Sequence, residues 1–166
     1  DPSIITGVFT LAGGNSVGGI ATLTSITNFG TIDSTGGFFD DFSADGPYNV
    51  VVENTGQIIT SRIGQFLSPT SSQVDVSITN SGTMIGGQMG LNGSGESFLQ
   101  NSGQFEMSFM NIGATGGATI FNSGTFVVSE NGDRRTIDGS ATSSEIEVAN
   151  TGTIIANITL GSGEDI

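Results

Sequence analysis

One phrase constrains this chain more than anything else in it. Apolar, any, Asn, any, Gly, polar, apolar occurs six times, as "ITNFGTI", "VENTGQI", "ITNSGTM", "LQNSGQF", "IFNSGTF" and "VANTGTI". The anchors are Asn28, Asn54, Asn80, Asn101, Asn122 and Asn150, spaced by 26, 26, 21, 21 and 28 residues. Spacings of this size match one coil of a solenoid, with length differences absorbed in loops. Two residues before each anchor stand Ile26, Val52, Ile78, Leu99, Ile120 and Val148, all aliphatic. Four residues after it stand Ile32, Ile58, Met84, Phe105, Phe126 and Ile154, all apolar. The position between, three after the anchor, is Thr31, Gln57, Thr83, Gln104, Thr125 and Thr153, always polar.

This is the period-two pattern of strands on both sides of a turn, with inward residues flanking it and the Thr/Gln column outward. Runs such as "YNVVVEN", "VDVSITN" and "EIEVAN" are rich in β-branched residues, which favour strands. Gly is too frequent, at 27 residues, for a long helix. Asn and Gly tolerate left-handed backbone angles, so an Asn-x-Gly unit is expected to bend the chain that way. A hairpin could use the same turn, but would not need it once per repeat. In stacked coils about 4.8 Å apart the Asn side chains are predicted to bond to one another as a ladder. The expected fold is all-β, a parallel β-helix of about six to seven coils.

Residues 1–25 lack the phrase and read as an irregular first coil or N-terminal cap, with residues 26–166 as the repeats. The C-terminal end, "IANITLGSGEDI", reads as a coil begun and then truncated or uncapped. The Gly-, Ser- and Asp-rich stretches "DSTGGFFDDFSADGPY", "SRIGQFLSPTSSQ", "GGQMGLNGSGES", "NIGATGG" and "SENGDRRTIDGSATSS" read as loops. An opening Asp1-Pro2 in place of Met suggests an excised or processed piece of a longer protein.

"NSGTF", "NTGTI" and "NSGTM" resemble repeats of bacterial autotransporter passengers and large surface adhesins. Those families form right-handed parallel β-helices outside the cell. The tail "GSGEDI" resembles half of the Gly-rich nonapeptide of secreted calcium-binding repeat proteins. The resemblance covers residues 24–160 as a style of repeat. It implies a secreted or cell-surface location and a structural, adhesive role, with a host or neighbouring-cell surface or an extracellular glycan as partner. The right hand comes from the resemblance and from the usual hand of parallel crossovers. No membrane barrel, protease signature or cell-binding tripeptide accompanies it.

Charge narrows the partners. Against 16 acidic residues stand only Arg62, Arg134 and Arg135, a net charge of −13 that repels nucleic acid and anionic lipid. No apolar run is long enough for a membrane-spanning helix, so membrane insertion is not expected. With no Cys and no His, thiolate and imidazole chemistry is excluded.

Three features bear on chemistry. In "DDFSADG", Asp41, Ser43, Asp45 and Gly46 match positions one, three, five and six of a calcium loop. Val52 occupies position twelve, where a bidentate Glu is required, so an acidic solvated loop is the plainer reading and calcium the only candidate cofactor. In "ENGDRRTIDG", Glu130, Asp133, Arg134, Arg135 and Asp138 could clamp an anion, but a self-neutralised surface loop explains them as well. Asp40, Asp41 and Asp45 are the one dense acidic group that glycoside hydrolysis could use, without the usual His or Lys partners. A structural role is therefore expected rather than an enzyme. The alternatives are a polysaccharide-active β-helix enzyme, or a carbohydrate- or ice-binding one that uses the Thr/Gln column.

Overall fold

The computed structural model describes residues 24–40, 48–65, 74–91, 95–129 and 136–166. These residues form strands joined by turns, with no helix. Six strands make one parallel sheet: β1 (Thr24–Asn28), β3 (Tyr48–Asn54), β5 (Val74–Asn80), β7 (Ser97–Asn101), β9 (Ala118–Asn122) and β12 (Ile146–Asn150). Each of them ends on a repeat Asn. The second sheet holds β2 (Thr31–Asp40), β4 (Gln57–Gln65), β6 (Thr83–Leu91), β8 (Gln104–Ile112), β10 (Thr125–Val128) and β13 (Thr153–Ile155). Each of these begins at the residue that follows the turn Gly. Two short strands, β11 (Thr136–Asp138) and β14 (Asn157–Thr159), complete it.

Every pairing is parallel, and the residues around each anchor are in repeat register; β2 and β4 slip by one residue between Ser34 and Gly37. Asn28, Asn54, Asn80, Asn101, Asn122 and Asn150 face one another strand by strand. On the other sheet Ile32, Ile58, Met84, Phe105, Phe126 and Ile154 do the same. The chain steps from one sheet to the other at each Asn turn and returns one strand further along. All-β, parallel, two sheets and one turn per repeat is an arrangement consistent with a parallel β-helix.

Alternation puts the core between the sheets. In β7 Ser97, Leu99 and Asn101 are buried while Phe98 and Gln100 are not; β9 repeats this with Ala118, Ile120 and Asn122 inside. The buried apolar residues of both sheets, including Ile78, Leu99, Ile120, Met84, Phe105 and Phe126, form one cluster. Phe105 and Phe126 meet edge to face with ring centroids 4.9 Å apart, a favourable aromatic geometry.

The strands after the first three turns run longer than expected. Residues 33–40, 61–65 and 86–91, read from their Gly and Ser content as loop, belong to β2, β4 and β6. Pairing to neighbours overrides local propensity here. In β8 the buried positions change phase, from Phe105 and Met107 to Met110 and Ile112. The two halves of that strand then pair separately, the first with β10 and the second with β11. The expected cap, residues 1–23 for the most part, lies outside the described residues.

Candidate functional site

The repeat Asn side chains are brought together as predicted. Nδ2 of Asn28 donates to Oδ1 of Asn54 at 2.7 Å. Asn54 to Asn80, Asn80 to Asn101, Asn101 to Asn122 and Asn122 to Asn150 follow, each at 2.8 Å. Each interior amide also clamps two backbones. Asn80 Nδ2 donates to Gly82 O of its own turn at 3.3 Å and to Gln104 O of the next strand at 2.9 Å. Asn80 and Asn101 are fully buried, yet their amides are bonded, so burying them carries no stranded polar group.

The turn glycines serve a purpose other than the expected one. Among the described glycines only Gly117 has a left-handed backbone, with φ of 105°. The Asn-x-Gly glycines are required by close stacking instead. A Cβ on Gly103 would lie 2.1 Å from Gly82 O and 2.7 Å from Ser81 C, both backbone atoms of the preceding turn. Backbone lies on backbone there, and the turns pack more tightly than any side chain permits. The residue between Asn and Gly points away: Thr55, Ser81, Ser102, Ser123 and Thr151 are exposed.

Of the other sequence candidates, Asp41, Ser43 and Asp45 lie outside the described residues, as do Glu130, Asp133, Arg134 and Arg135. Asp40 ends β2, with Gln65 as its backbone partner. Asp138 is on β11, where its Oδ1 accepts bonds from Ser140 N at 3.0 Å and Ser140 Oγ at 2.6 Å. The Thr/Gln column is outward or half-exposed throughout.

A cleft that the sequence reading missed opens on the outer face of the six-stranded sheet. It encloses about 250 Å³ at the start of β7, β9 and β12, lined by Glu96, Phe98, Gly117, Thr119, Glu145 and Glu147 among others. Phe98, Thr119 and Glu147 are backbone partners across three strands, all on the outward alternation. Gly117 precedes β9 and leaves the floor bare; its carbonyl accepts Ser97 N at 3.0 Å. Beside the cleft, Phe98 and Phe121 pack with ring centroids 5.7 Å apart and planes tilted by 60°. Phe121 is 39% exposed. Ser97 lies at the floor, and its side chain follows the inward alternation of Leu99. Its Oγ is buried without a partner on the core side.

Aligning the repeats on Asn would have shown the cleft. Phe98, Thr119 and Glu147 each stand three residues before their anchor, and Glu96, Gly117 and Glu145 five before. Among the described residues no group of three acidic, His or Cys side chains is arranged to hold a metal ion. No family model, curated protein or solved structure matches this chain.

Proposed function

We propose that this chain is a structural and adhesive segment of a secreted bacterial cell-surface protein. It forms a right-handed parallel β-helix of about six to seven coils, a rigid stalk with loops and outer faces available for contact. The observation that supports this most is the Asn ladder, continuous from Asn28 to Asn150 in a single register. A polar column bonded at every coil suits a rod more than a hinged catalytic cleft. The autotransporter and adhesin resemblance of the repeat supports the extracellular setting, and the −13 charge argues for partners other than nucleic acid or anionic lipid.

The partner in this reading is a host or neighbouring-cell surface, or an extracellular glycan. No resident cofactor is required. Calcium at Asp41, Ser43 and Asp45 is the one candidate, tested by a calcium-dependent rise in Tm that Asp41→Ala and Asp45→Ala abolish. We expect no such rise. For the main reading, beads coated with the purified chain should adhere to cells or immobilised glycans, and small-angle scattering should give an elongated particle. A compact particle, or a positive glycan-depolymerisation screen, would overturn it in favour of a polysaccharide-active enzyme.

A further inference from the structure

We infer that the outer cleft beside Phe98 and Phe121 binds a protonated amino-sugar unit of an extracellular glycan. This rests on the adhesive reading above and gives its partner a chemistry and a place.

The cleft asks for a particular kind of ligand. Its side-chain oxygens on Glu96, Glu145 and Glu147 are acceptors, since a carboxylate accepts hydrogen bonds and donates none. Among the described residues lining it, only Thr119 brings a side-chain donor on the outward face, Ser97 Oγ being on the core side. A ligand that fits must therefore be rich in donors and carry positive charge. Among the described residues no countercharge comes from within: their one Lys or Arg, Arg62, is on β4 of the other sheet, and none of them forms an ion pair with these glutamates. The aromatic ring at the rim adds a second requirement. Phe98 is half-buried and Phe121 exposed, so the pair presents an apolar, π-rich surface to solvent next to the acids. Such a surface attracts the C–H face of a ring and a cation held above it.

A pyranose bearing an ammonium group meets all of these conditions in one unit. Its apolar face stacks on Phe98, its hydroxyls donate to the glutamates and its charge pairs with them. A basic peptide supplies charge and stem, but β7 and β9 are paired on both sides, and on the edge strand β12 Val148 N and Ile146 O are already bonded to Ile166, so its backbone finds little free sheet edge to join. The flat row Phe98, Thr119 and Glu147 spans two strand spacings, about 10 Å, room for about two sugar units in a chain. Acidic and sulfated glycans are repelled.

Glucosamine oligomers, their N-acetylated counterparts and an oligoarginine peptide should be titrated calorimetrically, at a mildly acidic pH that keeps the amines protonated. The glucosamine oligomer should bind, and N-acetylation, which removes the charge, should weaken it about tenfold or more. Phe98→Ala and Glu147→Gln should each weaken it by about tenfold. Phe29→Ala, at a ring 69% exposed on a distant turn, and Glu53→Gln, on β3, should leave it unchanged. Circular dichroism confirms that each variant is folded. If cleft and control variants lose affinity equally, the attraction is to the acidic surface at large and the inference fails. Oligoarginine bound as tightly, with the same variant dependence, overturns the glycan assignment. Beads that adhere to cells while the oligomers do not bind would sink this inference alone. Shortening of the oligomers would remove both readings.

Discussion

Nδ2 of Asn80 donates to Oδ1 of Asn101 at 2.8 Å, across 21 residues of sequence. The same amide receives a bond from Asn54 on its other side at 2.8 Å. All the rungs point in one sense, so each interior side chain is donor to the next repeat and acceptor from the one before.

Asn80→Asp tests this directly. The substitution keeps the shape and replaces the amide donor by an acceptor that faces Asn101 Oδ1 and the carbonyls of Gly82 and Gln104. A loss of about 3 kcal/mol or more is expected in urea denaturation, since a buried group left unpaired costs about 1–3 kcal/mol and a charged one more. Asn150→Asp is the comparison. That side chain is exposed and its Nδ2 reaches only Gly152 O, so the cost should stay below about 1 kcal/mol. Equal losses at the two positions would remove the ladder from the account of stability.

Phe126 is fully buried against Phe105, whereas Phe121, five residues earlier, faces outward. Phe126→Ala should cost about 3–5 kcal/mol, and Phe126→Asp should abolish the cooperative transition, because it strands a charge in the core. Phe121→Ala should stay within about 1 kcal/mol. Circular dichroism of the wild type should show strand and no helix; reversed sensitivities of the two rings would contradict the register.

Gly103→Ala should destabilise by about 1–3 kcal/mol or more, as overpacking does, because its Cβ would press on Gly82 O and Ser81 C rather than on a movable side chain. Ser102→Ala, one residue away and exposed, should be close to neutral. Thermal melts of the two variants side by side decide the matter. A harmless Gly103→Ala would mean that the turns do not stack as closely as described.

Acidification should drive association. In the last described repeat Val148, Ile154, Ala156 and Leu160 are only partly buried, and Ile158 is 42% exposed. At neutral pH the charge of −13 keeps copies apart; near the sequence pI of about 4.1 that repulsion is gone. Light scattering during a pH titration, followed by electron microscopy, should show end-to-end particles. Monodisperse monomers at the pI would contradict this.

The repeat itself was legible because its chemistry is local. Asn-x-Gly with apolar flanks states turn, register and inward face at once, and the six anchors pair as their spacing implied. The Gly-rich stretches misled, since Gly36 and Gly37 in β2 or Gly86 and Gly87 in β6 look like loop one segment at a time. They become strand through neighbours that are about 20 residues away or more. The role of the turn glycines was hidden for a similar reason. A backbone approach between coils leaves no mark on the sequence that differs from a left-handed turn. The cleft was harder still, since it combines residues of three coils, each unremarkable alone.

Parallel stacking also decides how such a molecule bears a load. The strands run across the direction in which repeats accumulate, so their hydrogen bonds, backbone and Asn alike, lie along it. Traction on the two ends would therefore not shear a whole sheet at once. It would open the seam between two neighbouring repeats, and the seams still closed would keep their own full set of bonds. The weakest seam gives first, and the length released there is one repeat, between 21 and 28 residues of chain. Stretching this protein should dissipate force in repeat-sized steps, the shorter steps arising between Asn80 and Asn122, where the anchors are closest in sequence.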